Sequence, residues 1–374
     1  MSKRIIKFES VQGVLSCIVA LATFGVASAG SVGQGVAQDS VPNNLQIGMS
    51  VPPDVEQITT KALQYLVDSQ NQHGTWEGGY DSHAQGLENC GVVGLATMAM
   101  LSTGEDPNAG PYAANIHASL RYLILTQNPE TGFLPTTMYN HGFAMLALSE
   151  AYGTVDDELI WASAPGVDPK RKRTLGEALR LAVQLAVNSQ DINPAKAWRY
   201  RPTSQDTDTS VTGAVLIGLL AARNAGIAVP DESISNGIGF LEDMTSRRSG
   251  STRYDRTRES LSHGPNLSAI TALVMSISHS RDSDKFVPAA DRIKKFIDLK
   301  DESFPYYNMY YMAQALFQTD YDSWNRWNQI TIRRLRRQQQ ADGSFKSQHG
   351  QAYGTAMACL SLALNYRFLP IYER

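Results

Sequence analysis

The chain repeats one phrase several times, and this repetition limits its architecture more than any single residue does. Each copy has a helical stretch that ends in Gln, a turn with Gly and an aromatic residue, and then a second, almost wholly apolar stretch. The clearest copy is LQYLVDSQNQHGTWEGG, in which Gln70 closes the helix and Gly74 and Trp76 mark the turn. Such repetition indicates one supersecondary unit per copy, with each unit packed on its neighbours.

The other copies keep this phrase to different degrees. The second, LRYLILTQNPETGF, and the last, IRRLRRQQQADGSF, keep the Gln, the Gly and the aromatic residue. A third, LRLAVQLAVNSQ followed by Trp198 and Tyr200, and a fourth, IGFLEDM followed by Tyr254, are looser. A fifth, from Ile293 to Phe304, is degenerate. The sequence therefore contains six copies of unequal clarity.

The two helices of each pair differ in how their apolar residues are distributed. The first is amphipathic and should have one face in water, whereas the second, such as CGVVGLATMAML from Cys90, is apolar nearly all round and should be buried. Six such pairs predict an all-α (α/α)6 toroid, a double ring of about twelve helices with the second helices inside. With 374 residues, 43% of them hydrophobic, residues 52–374 are expected to form one large domain.

The first residues have the pattern of a secretory signal. Lys3, Arg4 and Lys7 precede the apolar run VLSCIVALATFGVASA, which ends in the small-x-small residues 27–29. We therefore expect residues 1–29 to be a signal peptide cleaved after Ala29, which predicts a periplasmic or secreted protein. The alternative is an uncleaved membrane anchor, since the run is near the minimum spanning length. Residues 30–51 are polar and are expected to form a flexible leader.

Charge and cysteine content restrict the partners. A net charge of −3 gives no electrostatic attraction to nucleic acid, and the basic runs at 170–173, 247–258 and 333–337 are interpreted as solvated faces rather than phosphate or lipid sites. Signal cleavage leaves Cys90 and Cys359, on the first and last inner helices. Export allows a disulfide between them across the ring closure, and the alternative is two buried small hydrophobes.

A candidate site follows from the topology. The turns from outer to inner helices fall on the same end of the ring and converge on one mouth, where the N-termini of the inner helices create a positive potential. The residues expected to line this mouth or a pocket in it are Trp198, Tyr200, His141, His263, Tyr307 and Tyr353.

The segment AWRYRPTSQDTDTSVTGAVL carries two aspartates just before an apolar helix. With this segment and the Gln, Gly and aromatic repeats, the chain resembles the squalene–hopene cyclase and protein-prenyltransferase repeat superfamily from about Leu63 to Leu364, and it looks like the short, exported bacterial members. Members of that superfamily build α/α toroids, so the resemblance implies the same fold.

The resemblance also implies a catalytic role for the aspartates. Squalene–hopene cyclases carry Asp-x-Asp-Asp-Thr, whose middle Asp protonates an alkene. Here Asp208 falls on the proton donor and Asp206 on the first Asp, while Thr209 replaces the third. Such chemistry needs a neutral acid in a dry cavity and aromatic faces for the cation. The candidate rings are Tyr139, Phe143, Tyr306, Tyr307, Tyr310 and Tyr353. The alternative is that Asp208 is an N-cap that the helix keeps ionised.

No cofactor or metal is expected. Protein prenyltransferases hold zinc with Asp, Cys and His, but their Asp-x-Cys is absent from the fourth and fifth repeats, and Tyr353-Gly354-Thr355 stands where their Tyr-His-Thr would fall. Glu88-x-Cys90 with a nearby His is the alternative metal site, although no His pair has the helical spacing of ligands.

Two function classes remain, and the sequence leaves open whether the protein is an enzyme. The first is an exported binding or scaffolding toroid for an apolar, isoprenoid ligand or a partner protein. The second is a metal-free terpenoid-cyclase-like isomerase that protonates a polyprenyl substrate with Asp208. We favour the first, because the cyclases place their cavity between two such domains and this chain has room for only one. Polysaccharide processing by a carboxylate pair, Glu88 or Glu259 with Asp206 or Asp208, is a third alternative.

Overall fold

The computed structural model describes residues 51–76, 89–257, 264–298 and 304–372. All of these described residues belong to one compact unit. The expected signal peptide and almost all of the expected leader lie outside the described residues. Within the described part of the chain, none of the helices has the length and apolar character needed to cross a membrane.

The described residues form thirteen α-helices that build an (α/α)6 toroid, which confirms the predicted fold class. In chain order they are α1 (Pro53–Ser69), α2 (Cys90–Leu101), α3 (Ala113–Thr126), α4 (Met138–Ala151), α5 (Asp157–Ala162), α6 (Leu175–Ile192), α7 (Thr209–Asn224), α8 (Asp231–Met244), α9 (Asn266–Ile277), α10 (Phe286–Lys294), α11 (Pro305–Thr319), α12 (Tyr321–Gln338) and α13 (Gln351–Leu362). The sequence did not predict the short α5, which packs on α3 between the second and third pairs.

Burial separates the two rings. In the inner helix α2, eleven of the twelve residues are buried, whereas in the outer helix α1 only six of seventeen are. The six inner helices are α2, α4, α7, α9, α11 and α13, and the six outer helices are α1, α3, α6, α8, α10 and α12. The apolar helices are therefore inside and the amphipathic helices outside, as the distribution of apolar residues predicted.

The inner ring is closed. Each inner helix packs on the next one in chain order, and α13 packs back on α2. The inner helices run parallel, because their first turns meet: the amide of Asn308 donates to the Asn266 side chain across 2.6 Å, and Gly91 lies against Asn140. All inner helices therefore begin at one end of the ring, the mouth, and end at the other, which we call the far end.

The Gln of the repeat joins neighbouring pairs. Gln70 Nε2 donates to the carbonyl of Gly74 in its own turn, at 3.1 Å, and to the carbonyl of Asn115 on the next outer helix, at 3.1 Å. Gln127, Gln190 and Gln339 do the same, with bonds of 2.8, 2.9 and 2.9 Å to the next outer helix. Since Gln339 bonds to α1, the seam where the last outer helix meets the first is held by the same kind of bond as three other joints.

The Gly of the repeat allows this close approach. Gly74 and Gly132 have φ of +86° and +81°, and a Cβ at either would overlap the main chain of the next outer helix. The looser copies differ here: Lys196 takes φ +53° in the third, and Gly250, with φ +65°, faces Pro288 in the fourth. The third and fourth copies thus keep a residue with positive φ at this joint, and in the third that residue is a lysine.

The two cysteines do not form the bridge that the sequence suggested. No disulfide occurs among the described residues, and both Cys90 and Cys359 are buried thiols. Burial raises the pKa of Cys359 to about 12. Their helices do pack together, but Cys90 is the first residue of α2 and Cys359 the ninth of α13. A rise of 1.5 Å per residue separates such positions by roughly 12 Å along parallel axes.

Candidate functional site

Three segments of the chain meet at the mouth where α7 begins. The backbone N–H of Asp208 donates to the carbonyl of Trp198 at 2.9 Å, and the N–H of Thr209 donates to the carbonyl of Tyr254 at 2.9 Å. The N–H of Met138, the first residue of α4, donates to the carbonyl of Tyr200 at 2.8 Å. These backbone bonds fix the position of Asp208 between α4, α7 and the turn that follows α8.

Asp208 is the N-cap of α7 and is fully buried. Its Oδ1 accepts three hydrogen bonds, from the backbone N–H of Ser210 at 2.7 Å, the Ser210 hydroxyl at 2.6 Å and the N–H of Val211 at 3.1 Å. Its Oδ2 is buried and accepts no hydrogen bond of normal geometry from the described residues. Oδ1 is therefore hydrogen-bonded to the first turn of α7, and Oδ2 is not.

Two tyrosines connect Asp208 to the surface of the mouth. Burial raises the pKa of Tyr254, and the neighbouring Asp208 raises it further. The Tyr254 hydroxyl also lies 2.8 Å from the Tyr200 hydroxyl, and both residues are partly exposed. Tyr200 was predicted at the mouth, whereas Tyr254 was recognised only as the aromatic residue of a weak repeat.

Asp206 does not lie beside Asp208 as the paired carboxylates of the sequence motif would require. Its side chain is 61% exposed and makes an ion pair with Arg199 Nε at 3.1 Å. A second carboxyl group, that of Asp255, lies 4.0 Å from Arg199 Nη1. Asp255 is buried and accepts hydrogen bonds from the backbone N–H and the hydroxyl of Thr257. Asp255 was not predicted as a site residue, although Asp-x-Thr is a recognisable turn pattern.

A tyrosine cluster lies across the mouth from α4 to α13. It consists of Tyr139, Tyr307, Tyr311 and Tyr353. The ring centroids of Tyr139 and Tyr307 are 6.5 Å apart, and those of Tyr307 and Tyr311 are 4.7 Å apart. Burial raises the pKa of Tyr307, and the charge of Asp208 adds to this effect, so the cluster and the carboxylate are neighbours. Tyr311 is fully buried, whereas the other three rings are partly exposed.

A cavity of about 210 Å³ adjoins the tyrosine cluster between the start of α11 and the turn before α13. It shares Tyr307 and Tyr353 with the cluster, and its other lining residues are Phe304, Pro305, Tyr306, Lys346, Ser347, Gln348 and His349. Aromatic rings form much of its wall, and burial lowers the pKa of His349. An apolar concavity with a few polar groups is the usual form of a ligand site.

Two residues predicted at the mouth instead hold the wall together. Trp198 is buried and its indole N–H donates to the carbonyl of Ala186 at 2.9 Å. His141 is fully buried, and its ring nitrogens contact the N–H of Leu134 at 3.2 Å and the carbonyl of Ala182 at 3.0 Å. Burial lowers its pKa to about 4. Both side chains fasten a turn to α6, so neither offers a surface to a ligand.

The remaining predicted residues divide into two groups. Tyr200, Tyr307 and Tyr353 lie at the mouth. His263 lies outside the described residues, as do Glu88 and Glu259, on which the metal and polysaccharide alternatives depended. Among the described residues, no three His, Cys, Asp or Glu side chains come together in a way that could hold a metal ion.

Comparison with known proteins shows the fold. No protein-family model matches the chain, and no curated protein is significantly similar to it. Among solved structures, the chain is similar to the α-1,6-mannanase GH76A of Salegentibacter sp. HEL1_6, with 9% identity, a TM-score of 0.57 and coverage of 84% of this chain and 99% of that one.

Two further solved structures belong to other kinds of enzyme. The cellobiose 2-epimerase of Bacillus thermoamylovorans B4167 is 11% identical, with a TM-score of 0.55 and coverage of 83% and 98%. The type II terpene cyclase MstE of Scytonema is 14% identical, with a TM-score of 0.52 and coverage of 84% and 99%. These proteins are members of the (α/α)6 toroid superfamily, and at such identities they show that this chain has the same toroid fold.

Proposed function

We propose that this protein is an exported binding toroid whose mouth takes a ligand with a long apolar part, such as an isoprenoid. The observation that carries the proposal is the tyrosine cluster, which stays partly exposed and opens into a cavity of about 210 Å³ while the inner helices below it are buried.

The chemistry of the mouth favours an apolar ligand over a polysaccharide. Covering aromatic surface contributes about 25 cal/mol for each Å² removed from water, so a hydrocarbon chain lying on these rings gains affinity without needing polar partners. Polysaccharide hydrolysis usually needs two carboxyl groups facing one bond. Asp206 is engaged with Arg199 at the surface and Asp208 is buried, while Glu88 and Glu259, the glutamates expected to pair with them, lie outside the described residues.

A binding experiment with farnesol tests the proposal. We expect the double substitution Tyr307→Ala, Tyr353→Ala to weaken farnesol binding by about tenfold or more, equivalent to about 1.4 kcal/mol. The matched control is Tyr321→Ala, because Tyr321 is 45% exposed on the outer helix α12. Native mass spectrometry or calorimetry would measure both. Equal affinity in all three proteins would contradict binding at the mouth, and no binding to the unmodified protein would point to a partner protein instead.

Export belongs to the same proposal. The basic residues, apolar run and small-x-small ending of residues 1–29 support it. The intact mass of the protein recovered from the periplasm or medium is expected to correspond to a chain that begins at Gly30. A mass that includes residues 1–29 would favour the uncleaved anchor.

A terpenoid-cyclase-like activity is the second candidate, and one observation favours it. Because Asp208 Oδ1 accepts three hydrogen bonds, a proton on this carboxyl would reside on the buried Oδ2, near the tyrosine cluster. The test is extraction of products after incubation with polyprenyl compounds. A cyclic product of unchanged mass that disappears in Asp208→Asn and persists in Asp206→Asn would support this role, and unreacted compounds with the unmodified protein would contradict it.

A further inference from the structure

The far end of the ring is closed by the chain itself. After α13 the chain passes through a 3₁₀ turn at Ala363–Asn365 and reaches a second at Pro370–Tyr372, which packs on α7. In the order of the inner ring, α7 is diametrically opposite α13. Leu369 and Ile371 are only 4% and 2% exposed and belong to the hydrophobic core. Residues 366–372, which we call the C-terminal segment, therefore cross the ring at its far end.

Side-chain contacts guide this segment across. Asn365 and Asn328 exchange amide hydrogen bonds of 2.8 and 3.1 Å, which fix the start of the crossing. Arg367 takes φ +60° and its guanidinium lies 5.8 Å from the centre of the Phe317 ring. The ring of Phe368 lies against Gly104, where a Cβ would overlap it. The crossing is thus a specific path, although Phe368 remains 55% exposed.

Glu150 is the polar contact at the end of this path. It is the last residue but one of α4 and is 6% exposed. The backbone N–H of Ile371 hydrogen-bonds to its carboxyl group, and its Oε2 has no hydrogen-bond partner among the described residues. Burial disfavours the charged form of such a carboxyl group, and the negative end of the helix dipole near the C-terminus disfavours it further.

Charged groups on the neighbouring elements do not compensate this carboxyl. The helix α2 contains no charged residue. On α7, Arg223 is paired with Asp231 at 3.5 Å. On α6, the charged residues Glu177, Arg180 and Asp191 are exposed. In the C-terminal segment, Arg367 is directed onto Phe317. Within the described residues, the N–H of Ile371 is therefore the group that supports the carboxyl.

We propose that the C-terminal segment is a releasable stopper for the far end of the ring, and that protonated Glu150 is the latch that holds it. When the carboxyl loses its proton, the buried charge needs water, and water reaches it once Leu369 and Ile371 leave the core. Release would give the toroid a second opening, opposite the mouth. This device does not depend on which ligand binds at the mouth.

The pH of release follows from the environment of the latch. Burial is the largest effect and raises the pKa of Glu150 to about 8, while the hydrogen bond from Ile371 acts in the opposite direction and is outweighed. The stopper should therefore be closed at neutral pH and released in mildly alkaline solution.

Hydrogen exchange of the full-length protein tests the proposal. Exchange rates, corrected for the intrinsic effect of pH, would be compared at about pH 7 and about pH 9.5. We expect the protection of the amides in residues 366–372 to fall about tenfold or more at the higher pH, while α13 stays protected. Unchanged protection of the segment would overturn the proposal.

Two variants separate the latch from general alkaline effects. Glu150→Gln keeps an acceptor for the Ile371 N–H and cannot ionise, so its segment should stay protected at both pH values. The control Glu158→Gln, at an exposed position of α5, should behave like the unmodified protein. Loss of protection in Glu150→Gln equal to that of the unmodified protein would overturn the role of Glu150. If that variant does not fold, carboxypeptidase digestion of the unmodified protein from about pH 6 to about pH 9.5 gives the second measurement: cleavage that accelerates as the pH rises towards about 8 and then levels off supports the latch, and a constant rate contradicts it.

Discussion

Each end of the ring buries a carboxyl group at the end of an inner helix, and these two groups have opposite surroundings. Asp208, at the mouth, begins an inner helix and receives three hydrogen bonds from its first turn. Glu150, at the far end, lies where an inner helix ends and receives one from the C-terminal segment. Parallel inner helices thus give the toroid a polarity, with free N–H groups at one end and free carbonyl groups at the other. The N–H end suits an open site with a carboxylate, whereas the carbonyl end suits a neutral carboxyl and closure by apolar residues.

The largest expected effect comes from separating the two helices that hold these carboxyl groups. Gly142 of α4 lies so close to the backbone of Ala214 on α7 that a Cβ there would stand 2.8 Å from the Ala214 carbonyl carbon. We expect Gly142→Val to lower the free energy of unfolding by about 3 kcal/mol, measured by urea denaturation. Gly239→Ala is the control, because no described atom lies within 4 Å of that Cβ position. A Gly142→Val protein as stable as the unmodified one would show that α4 and α7 can accommodate a side chain at this contact without cost.

The pH dependence of stability should distinguish the two ends next. The folded protein keeps Glu150 protonated up to about pH 8, whereas the unfolded chain releases that proton near 4.5, so folded protein holds more protons and stability falls as pH rises through this range. His141, near the mouth, has the opposite effect: its pKa falls from 6.5 to about 4 on folding, so stability falls as the pH drops through that window.

The effects of Glu150 and His141 on stability oppose each other between pH 4.5 and 6.5. Above pH 6.5 the effect of Glu150 is the one that continues. Between pH 6.5 and 8 we expect the unfolding free energy of the unmodified protein to fall by about 2 kcal/mol, since one proton corresponds to about 1.4 kcal/mol per pH unit. Urea titrations of Glu150→Gln should show no such fall. Below pH 6.5 they should show the effect of His141 alone, which is a stability that increases as the pH rises. A fall of equal size in Glu150→Gln would assign the effect to another group.

The cap at the mouth should give a smaller effect. Asp208→Ala removes the acceptor from the first turn of α7 and should cost about 1 to 2 kcal/mol, whereas Asp208→Asn, which can still cap, should cost less. Thermal or urea unfolding measures both. Asp206→Ala is the control, because its exposed ion pair with Arg199 is worth less than about 1 kcal/mol. Equal costs for Asp208→Ala and Asp208→Asn would mean that the charge, rather than the cap, stabilises the mouth.

Removing one hydroxyl group at the surface of the mouth should have the smallest effect. Tyr200→Phe loses the contact of 2.8 Å with Tyr254 and should cost about 0.5 to 1 kcal/mol of unfolding free energy. Farnesol affinity should stay within about twofold, because the tyrosine cluster and its cavity are intact. A much larger loss of affinity would place Tyr200 in contact with the ligand.

The sequence predicted the fold because that prediction needs only the local pattern. Apolar residues all round one helix and along one face of the next decide which ring each helix joins, and burial in α1 and α2 follows this rule. The exact role of the repeated Gln was not predicted, because its second acceptor lies on the next outer helix, 43 to 51 residues away or across the seam.

The site was predicted only in part, because local spacing gives neither the position of a residue along the ring axis nor the direction of its side chain. Cys90 and Cys359 lie on adjacent helices but at different heights. Trp198 lies in a mouth turn and His141 in the first turn of α4, yet both side chains are directed onto α6, because each has a ring nitrogen that contacts a backbone carbonyl there. Glu150 was visible as an acidic residue within an apolar stretch, but its partner, Ile371, is more than two hundred residues away. Neither height nor distant partners can be read from local spacing.

The glutamine joints have a consequence for how the ring assembles. The bonds from Gln70, Gln127 and Gln190 to the next outer helix span 45, 51 and 43 residues, whereas the bond from Gln339 to Ile58 spans 281. Contacts between distant residues form late, because the chain must first be ordered between them. Folding should therefore proceed as a growing arc that closes at the α12 and α1 seam last. The same seam, including the Asp54 and Arg336 ion pair, is the place where the closed ring should first open when the protein is heated.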